Sequence, residues 1–271
     1  VELVFALVTD LHFGPQASFG GKLRKLTADA PALARAFVSR MNEAVRPDFV
    51  VNLGDDIEDE GFEADRARYG ACIETLRGVQ AELVNVAGNH DLVHLRPADL
   101  LAAWGKPELP GLHYSFDRGG FHFVVLHTRE KKDVDVTVGE AQIRWLAEDL
   151  AAARGPTVVF MHHSAADQDL RGNRWFEGSP HICLVEERRA LRSLFQQHGV
   201  RAVFNGHLHW NHLDVIAGIP YVTVQSLIEN LDEDAPGRPA AAHAVVRVTP
   251  ERVIVEIEGA ERARYQVDRA G

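Results

Sequence analysis

Five short apolar runs in this chain each end in side chains that can hold a metal ion. LVFALVTDLH (3–12) ends in Asp10 and His12, and FVVNLGDDIED (49–59) carries Asp55, with Asp56, Glu58 and Asp59 behind it. LVNVAGNHD (83–91) ends in Asn89, His90 and Asp91, TVVFMHH (157–163) in His162 and His163, and RAVFNGHLH (201–209) in His207 and His209. Carboxylate, amide oxygen and imidazole together suit Mn²⁺, Fe or Zn²⁺, and differ from the all-thiolate set of many structural zinc sites. Taken singly, each group has an ordinary explanation, because Asp-x-His after a strand, a Gly-Asp turn and a capped Asn-His-Asp loop are all common. Five of them, each at the end of an apolar run, point to one shared metal site.

The elements that must position these residues follow from the hydrophobic pattern. Strand-like runs at 3–8, 48–53, 81–87, 157–161 and 200–205 alternate with helical patterns at 31–45, 62–78, 139–154 and 185–198. Thr137 and Glu140 have the spacing of a capping box, and His198-Gly199 reads as a helix stop. Such alternation predicts an α/β fold with a parallel or mixed sheet covered by helices. In open sheets of that kind the ligand crevice lies outside the carboxyl ends of the strands, where all five groups stand. The glycines at 54, 88 and 206 fit turns whose backbone passes close to the site. Beyond residue 213 the pattern changes to short β runs, LDVIA, YVTVQSLI, AHAVVRV and RVIVEIE, read as a tail that completes a second sheet.

Bulk properties narrow the function. The 271 residues are 46% hydrophobic and 25% charged, enough for a sizeable core, and a single domain over 1–271 is the expectation. A formal charge of −10 argues against a nucleic-acid polymer as partner, so a phosphate-bearing substrate needs a local positive centre. Cys72 and Cys183 are too few for a disulfide framework and read as buried thiols. No apolar stretch approaches the ~20 residues of a membrane helix, and no secretory leader pattern opens the chain, so a cytoplasmic location without membrane contact is the expectation. Because the chain starts at Val1, an earlier leader stays open.

Substrate contacts are sought in the long polar segment 164–182, where Arg171 and Arg174 could meet a phosphate or distal group and Trp175 could stack on a base. The alternative is a solvated loop whose tryptophan packs on the body. The basic cluster GGKLRKL (20–26) reads as a solvated loop, the alternative being a place beside the crevice entrance; His127 in VVLHT (124–128) reads as a core histidine over one that supports the ligands, and His212 as a rim residue over a ligand.

The ordered set Asp10-Leu11-His12, Gly54-Asp55-Asp56-Ile57-Glu58, Gly88-Asn89-His90-Asp91, His162 and Gly206-His207-Leu208-His209 resembles the calcineurin-like binuclear metallophosphoesterase superfamily. Within it the chain looks most like the bacterial branch of class III cyclic-nucleotide phosphodiesterases and manganese-dependent ADP-ribose pyrophosphatases. The resemblance implies two packed mixed β-sheets flanked by helices in four layers. It implies two divalent or mixed-valence ions (Mn, Fe or Zn), one on Asp10, His12 and His209 and the other on Asn89, His162 and His207, with Asp55 bridging. It further implies hydrolysis of a small phosphate ester by a metal-bridging hydroxide, with His90 assisting the leaving group and Glu58 or Asp91 orienting His90. His163 is then expected beside the ligands, near substrate. Phosphodiesters, cyclic or nucleotide-like, are the leading substrates; monoesters and nucleoside-diphosphate-type pyrophosphates are the alternatives. A homo-oligomer is compatible with the resemblance. A non-catalytic scaffold of this fold would show replaced ligands, and every ligand position here is filled. A metal-dependent amide hydrolase would show H-x-H-x-D-H, and HLHWNH lacks the aspartate.

Overall fold

A run with no polar residue, LVFALV, makes a strand that must be buried on both faces, and β1 (Leu3–Val8) runs through the middle of a sheet. The computed structural model describes residues 2–16, 18–131, 134–232 and 234–268. After β1 come α1 (Ala30–Arg40), β2 (Phe49–Asn52), α2 (Phe62–Leu76), β3 (Glu82–Asn85) and α3 (Pro97–Trp104). The middle of the chain forms β4 (Tyr114–Arg118), β5 (Phe121–Val125), the hairpin strands β6 (Arg129–Lys131) and β7 (Asp135–Thr137), α4 (Glu140–Ala152), β8 (Thr157–Phe160), α5 (Arg188–Gln197) and β9 (Ala202–Asn205). Five strands follow: β10 (His212–Ile216), β11 (Ile219–Thr223), β12 (His243–Val248), β13 (Arg252–Glu258) and β14 (Ala263–Asp268). No helix among the described residues is long and apolar enough to cross a membrane.

Two six-stranded mixed sheets result, in the orders β14-β13-β12-β1-β2-β3 and β10-β11-β9-β8-β5-β4. The expected tail sheet is therefore corrected. The tail divides, β10 and β11 joining the second sheet beside β9 while β12 to β14 extend the first beside β1. Periodicity identifies a strand but not its neighbour, so the division was invisible in the pattern. The YVTVQSLI run also stops pairing at Thr223, and its remainder turns back over the ends of the strands.

The sheets meet through five fully buried phenylalanines, Phe5 and Phe49 from the first sheet and Phe123, Phe160 and Phe204 from the second. Ring centroids lie 5.0 Å apart for Phe5 and Phe49, and 5.5 and 5.7 Å for Phe5 with Phe160 and Phe204. Removing one such ring costs about 3–5 kcal/mol, so this layer fixes the two sheets against each other. On the outer face of the second sheet Leu146, Leu150, Leu191 and Phe195 of α4 and α5 pack on Val124, Val159 and Val203. The proposed capping box does not form. Gly139 is the N-cap of α4, while Thr137 lies in β7 and donates its hydroxyl to Glu187, which also accepts from the Val138 and Gly139 amides.

Candidate metal centre

β1, β2 and β3 run parallel, as do β5, β8 and β9, so the loops leaving β1, β2, β3, β8 and β9 emerge at the same edges. These loops are tied to one another by backbone bonds, Asp10 N–H to the Gly54 carbonyl at 2.9 Å and His12 N–H to the Asp55 carbonyl at 3.0 Å. Five candidate ligands sit in the left-handed region: Asp10 (φ 52), His12 (46), Asp55 (57), His207 (64) and His209 (53). Each such residue costs about 1–2 kcal/mol, and the surrounding bonds hold it there. The glycines are required where expected. A Cβ on Gly54, at φ +97, would lie 2.5 Å from the Gly88 nitrogen, and one on Gly88 would run into the Asp55 carboxylate.

The side chains converge. His12 Nε2 and His209 Nε2 face each other at 3.3 Å, with Asp10 Oδ1 at 3.8 and 3.3 Å from them. Two ring nitrogens pointed at one buried carboxylate oxygen that accepts no hydrogen bond make a cation-shaped arrangement. Asp55 Oδ2 stands between this group and the next, 3.8 Å from His12 Nε2 and 3.3 Å from His162 Nε2. His162 Nε2 is 3.1 Å from Asn89 Oδ1, and His162, His163 and His207 bring ring nitrogens within 4.8 Å of one another. Both donor groups are buried, and their oxygen and imidazole chemistry fits divalent first-row ions.

Electrostatics agree with the fit. Burial would raise the Asp10 carboxyl, but His209, His12 and His162 outweigh it and hold the group well below the usual carboxylate range. Asp55 is held down in the same way, with His162 and His90 overcoming burial. Burial opposes a proton on His162, yet Asp55 and Asp10 push it up to about 10; Asp10 and Glu229 push His209 up to about 9 against the same burial. Burial and the neighbouring His162 push His207 down to about 3, and burial with His207 holds His163 well below its ordinary value. The carboxylates demand positive charge in both groups, which a pair of cations would supply.

Around this centre the structure corrects several expectations. Glu58 does not orient His90. It takes His12 Nδ1 at 3.0 Å and Lys25 Nζ at 2.8 Å, and Asp59, one residue later, takes His90 Nδ1 at 2.5 Å. Asp91 does not reach His90 either; its buried carboxylate accepts the backbone N–H groups of Gly88, Asp55 and Asp56 at 2.9, 3.0 and 2.8 Å and so shapes the two loops. His163 is fully buried, its Nδ1 bonded to Thr128 at 2.7 Å, so it supports or joins the ligand group and cannot touch substrate. Arg171, with its side chain 86% exposed, forks onto Asp169. Arg174 donates to the carbonyls of Asn230 and Asp232. Trp175 packs on the body, its ring edge-on to Phe19 and 5.2 Å from the His209 ring, with Nε1 donating to Glu229 at 3.1 Å.

Two residues escaped the sequence reading. Lys25, in the cluster expected to be solvated, is 4% exposed and locked onto Glu58. Glu229 holds His209 Nδ1 at 2.8 Å and is itself held by Trp175 and Arg174. Both imidazoles of the Asp10 group therefore have carboxylate partners that set their ring orientation. His162 Nδ1 instead donates to the Leu53 carbonyl at 2.8 Å. His212 is on the rim as expected, 3.2 Å from Asp214. His127 is half-buried, its backbone tied to Gln142 and its ring lining a cleft next to His90.

Residues 3–211 match the family model described as calcineurin-like phosphoesterase. The chain belongs to this family. Relatives it is similar to include phosphodiesterases and phosphatases. It is 29% identical over 215 residues to a cAMP/cGMP dual specificity phosphodiesterase of Mycobacterium tuberculosis, an alignment covering 78% of this chain and 64% of the relative. A human serine/threonine-protein phosphatase is 29% identical over 186 residues, covering 64% of this chain and 54% of the relative. The chain thus spans less than two thirds of either relative. Its fold matches a purple acid phosphatase from yellow lupin seeds with a TM-score of 0.68 at 13% identity, over 99% of this chain and 54% of that one.

Proposed function

We propose that this phosphoesterase hydrolyses phosphodiesters at a centre of two divalent or mixed-valence ions, one held by Asp10, His12 and His209, the other by Asn89, His162 and His207, with Asp55 shared. The observation that carries the reading is the pair of buried donor groups on either side of Asp55, next to a histidine clamped by a carboxylate. When bound, such ions act as Lewis acids, drawing charge from phosphate oxygens and acidifying water.

The chain's own residues supply the rest. Asp59 accepts from His90 Nδ1, which fixes the ring; with both ring nitrogens protonated and the charge matched by Asp59, Nε2–H would give its proton to the departing oxygen and leave the neutral imidazole. Glu58 and Glu229 set the rings of His12 and His209, and the Asp91 clamp keeps Asp55 and the Gly88 turn in register. A diester carries one negative charge where a monoester carries two near neutral pH. The arginines of 164–182 that could have met the second charge are engaged with Asp169, Asn230, Asp232 and Glu229. The mycobacterial phosphodiesterase also aligns over more of this chain than the human phosphatase does.

The test is a comparison of bis(p-nitrophenyl) phosphate with p-nitrophenyl phosphate, using protein stripped of metal and reloaded with Mn²⁺. A higher kcat/KM on the diester supports the reading. A higher kcat/KM on the monoester overturns the diester preference.

A further inference from the structure

The two donor groups differ in what stands behind their imidazoles. His12 Nδ1 meets Glu58 at 3.0 Å and His209 Nδ1 meets Glu229 at 2.8 Å, so carboxylates back both rings of the Asp10 group. In the other group backbone carbonyls take that place, Leu53 for His162 at 2.8 Å and Ile182 for His207 at 3.3 Å. The Asp10 group therefore gathers three buried carboxylates of its own, Asp10, Glu58 and Glu229, besides the shared Asp55. By themselves these charges favour an ion of high positive charge.

One buried cation opposes them. Lys25 Nζ donates to Glu58 at 2.8 Å and lies 3.4 Å from His12 Nδ1, at the far side of that ring from Nε2. Its place is fixed from two directions. The rings of Phe19 and Trp175 cover the ammonium, with centroids 5.0 and 5.4 Å away. Lys25 also stands opposite Glu229 in a short backbone bridge, beside the bond from Leu26 N–H to the Ile228 carbonyl at 2.9 Å. Arg174, 3.6 Å from Glu229, has a side chain 35% exposed, so solvent screens its charge as it cannot screen that of Lys25. The charge of His90 is matched by Asp59.

We propose that Lys25 sets the charge of the ion the Asp10 group accepts, confining it to a divalent ion where the carboxylates alone would favour a trivalent one. The inference rests on the two-ion reading above and selects the divalent pair over the mixed-valence one. An ammonium repels a cation in proportion to the charge on that cation, so it weakens a trivalent ion more than a divalent ion in the same place. Lys25 acts through Glu58 and His12 and touches neither ion nor substrate, which makes it a positioning and selectivity residue.

A competition between Mn²⁺ and Ga³⁺ tests this, with gallium supplied as its citrate complex because it is trivalent and inert to reduction. Metal-stripped protein is equilibrated with both ions and desalted, and elemental analysis gives the ions held per chain. The wild type should keep two Mn²⁺ and little Ga³⁺. Lys25→Met should raise the Ga³⁺-to-Mn²⁺ ratio ~10–100-fold, the effect of one unit of ion charge beside one buried ammonium at the effective dielectric of a protein. Lys25→Arg should keep the wild-type ratio. Lys25→Met/Glu58→Gln, which removes both charges of the pair, should return to the wild-type ratio and exceed Glu58→Gln alone by the same ~10–100-fold. That second comparison decides the matter even where a lone Glu58 prevents Lys25→Met from folding. An unchanged ratio on removal of the ammonium, in either background, overturns the role of Lys25 alone. A wild type that takes up fewer than two Mn²⁺ brings down the two-ion reading, and the role of Lys25 with it.

Discussion

Gly54→Ala separates two costs that are usually mixed. At φ +97 an alanine pays for leaving the allowed regions, about 1–2 kcal/mol. Its Cβ would also lie 2.5 Å from the Gly88 nitrogen and 2.9 Å from the Ala87 carbonyl carbon, and relieving backbone overlap in a packed site adds about 1–3 kcal/mol. The sum is ~2–5 kcal/mol, a large share of the ~5–15 kcal/mol that keeps a typical domain folded. Gly218, between β10 and β11, provides the control. Its φ is +77, and a Cβ there meets nothing within 4 Å, so Gly218→Ala should cost the conformational part alone. Urea unfolding of both variants in chelator, followed by tryptophan fluorescence, gives the difference. Metal analysis after Mn²⁺ loading should show reduced occupancy for Gly54→Ala only, since Gly54 accepts from Asp10 and precedes Asp55. Equal destabilisation in the two variants would refute the close packing of the two ligand loops.

The remaining predictions concern the site and its surroundings. Asp55→Ala should lose both ions and His209→Ala one, as read by metal content after reconstitution; identical stoichiometry in the two would remove the shared role of Asp55. Asp59→Asn should slow alkyl esters about 10–100-fold and nitrophenyl esters much less, whereas Glu58→Gln should leave that leaving-group dependence intact and weaken metal retention. A separate test uses pH. His122 is held by Asp149 at 2.9 Å and Asp117 at 2.7 Å, and these carboxylates, Asp149 foremost, raise its pKa above the ordinary 6.5. A raised imidazole stabilises fully below 6.5 and loses that contribution as pH climbs through the folded value, so the urea midpoint should fall over that window and His122→Gln should flatten the slope.

The candidate metal-binding positions were legible because parallel strands with short loops deliver their next residues to the same place, and each run ended in a recognisable donor. The partners of those donors were not. Glu58 and Asp59 are adjacent, and only the course of the loop decides that one meets His12 and the other His90. Lys25 stands among glycines and other cations, and nothing local shows that Glu58, 33 residues away, buries it. Glu229 belongs to no motif, and it reaches His209 because the chain after Thr223 folds back across the strand ends instead of pairing. The T-x-x-E pattern failed for a similar reason, since a distant carboxylate, Glu187, claimed Thr137. Local pattern identified what each residue can do, and tertiary contacts chose its partner.

The left-handed backbone at residues 10, 12, 55, 207 and 209 limits how this protein could be re-engineered for another metal. Aspartate, asparagine and histidine are the side chains that tolerate that conformation best, and all three are also ligands. Cysteine and glutamate would satisfy many ions but lack the same conformational tolerance. At those five positions, then, exchange to a thiolate is opposed by the backbone before coordination is tested. Asn89, at φ −77, and His162, which is absent from the left-handed set, carry no such restriction. A change of metal preference therefore has its open route through residues 89 and 162, which both belong to the ligand set proposed for the second ion.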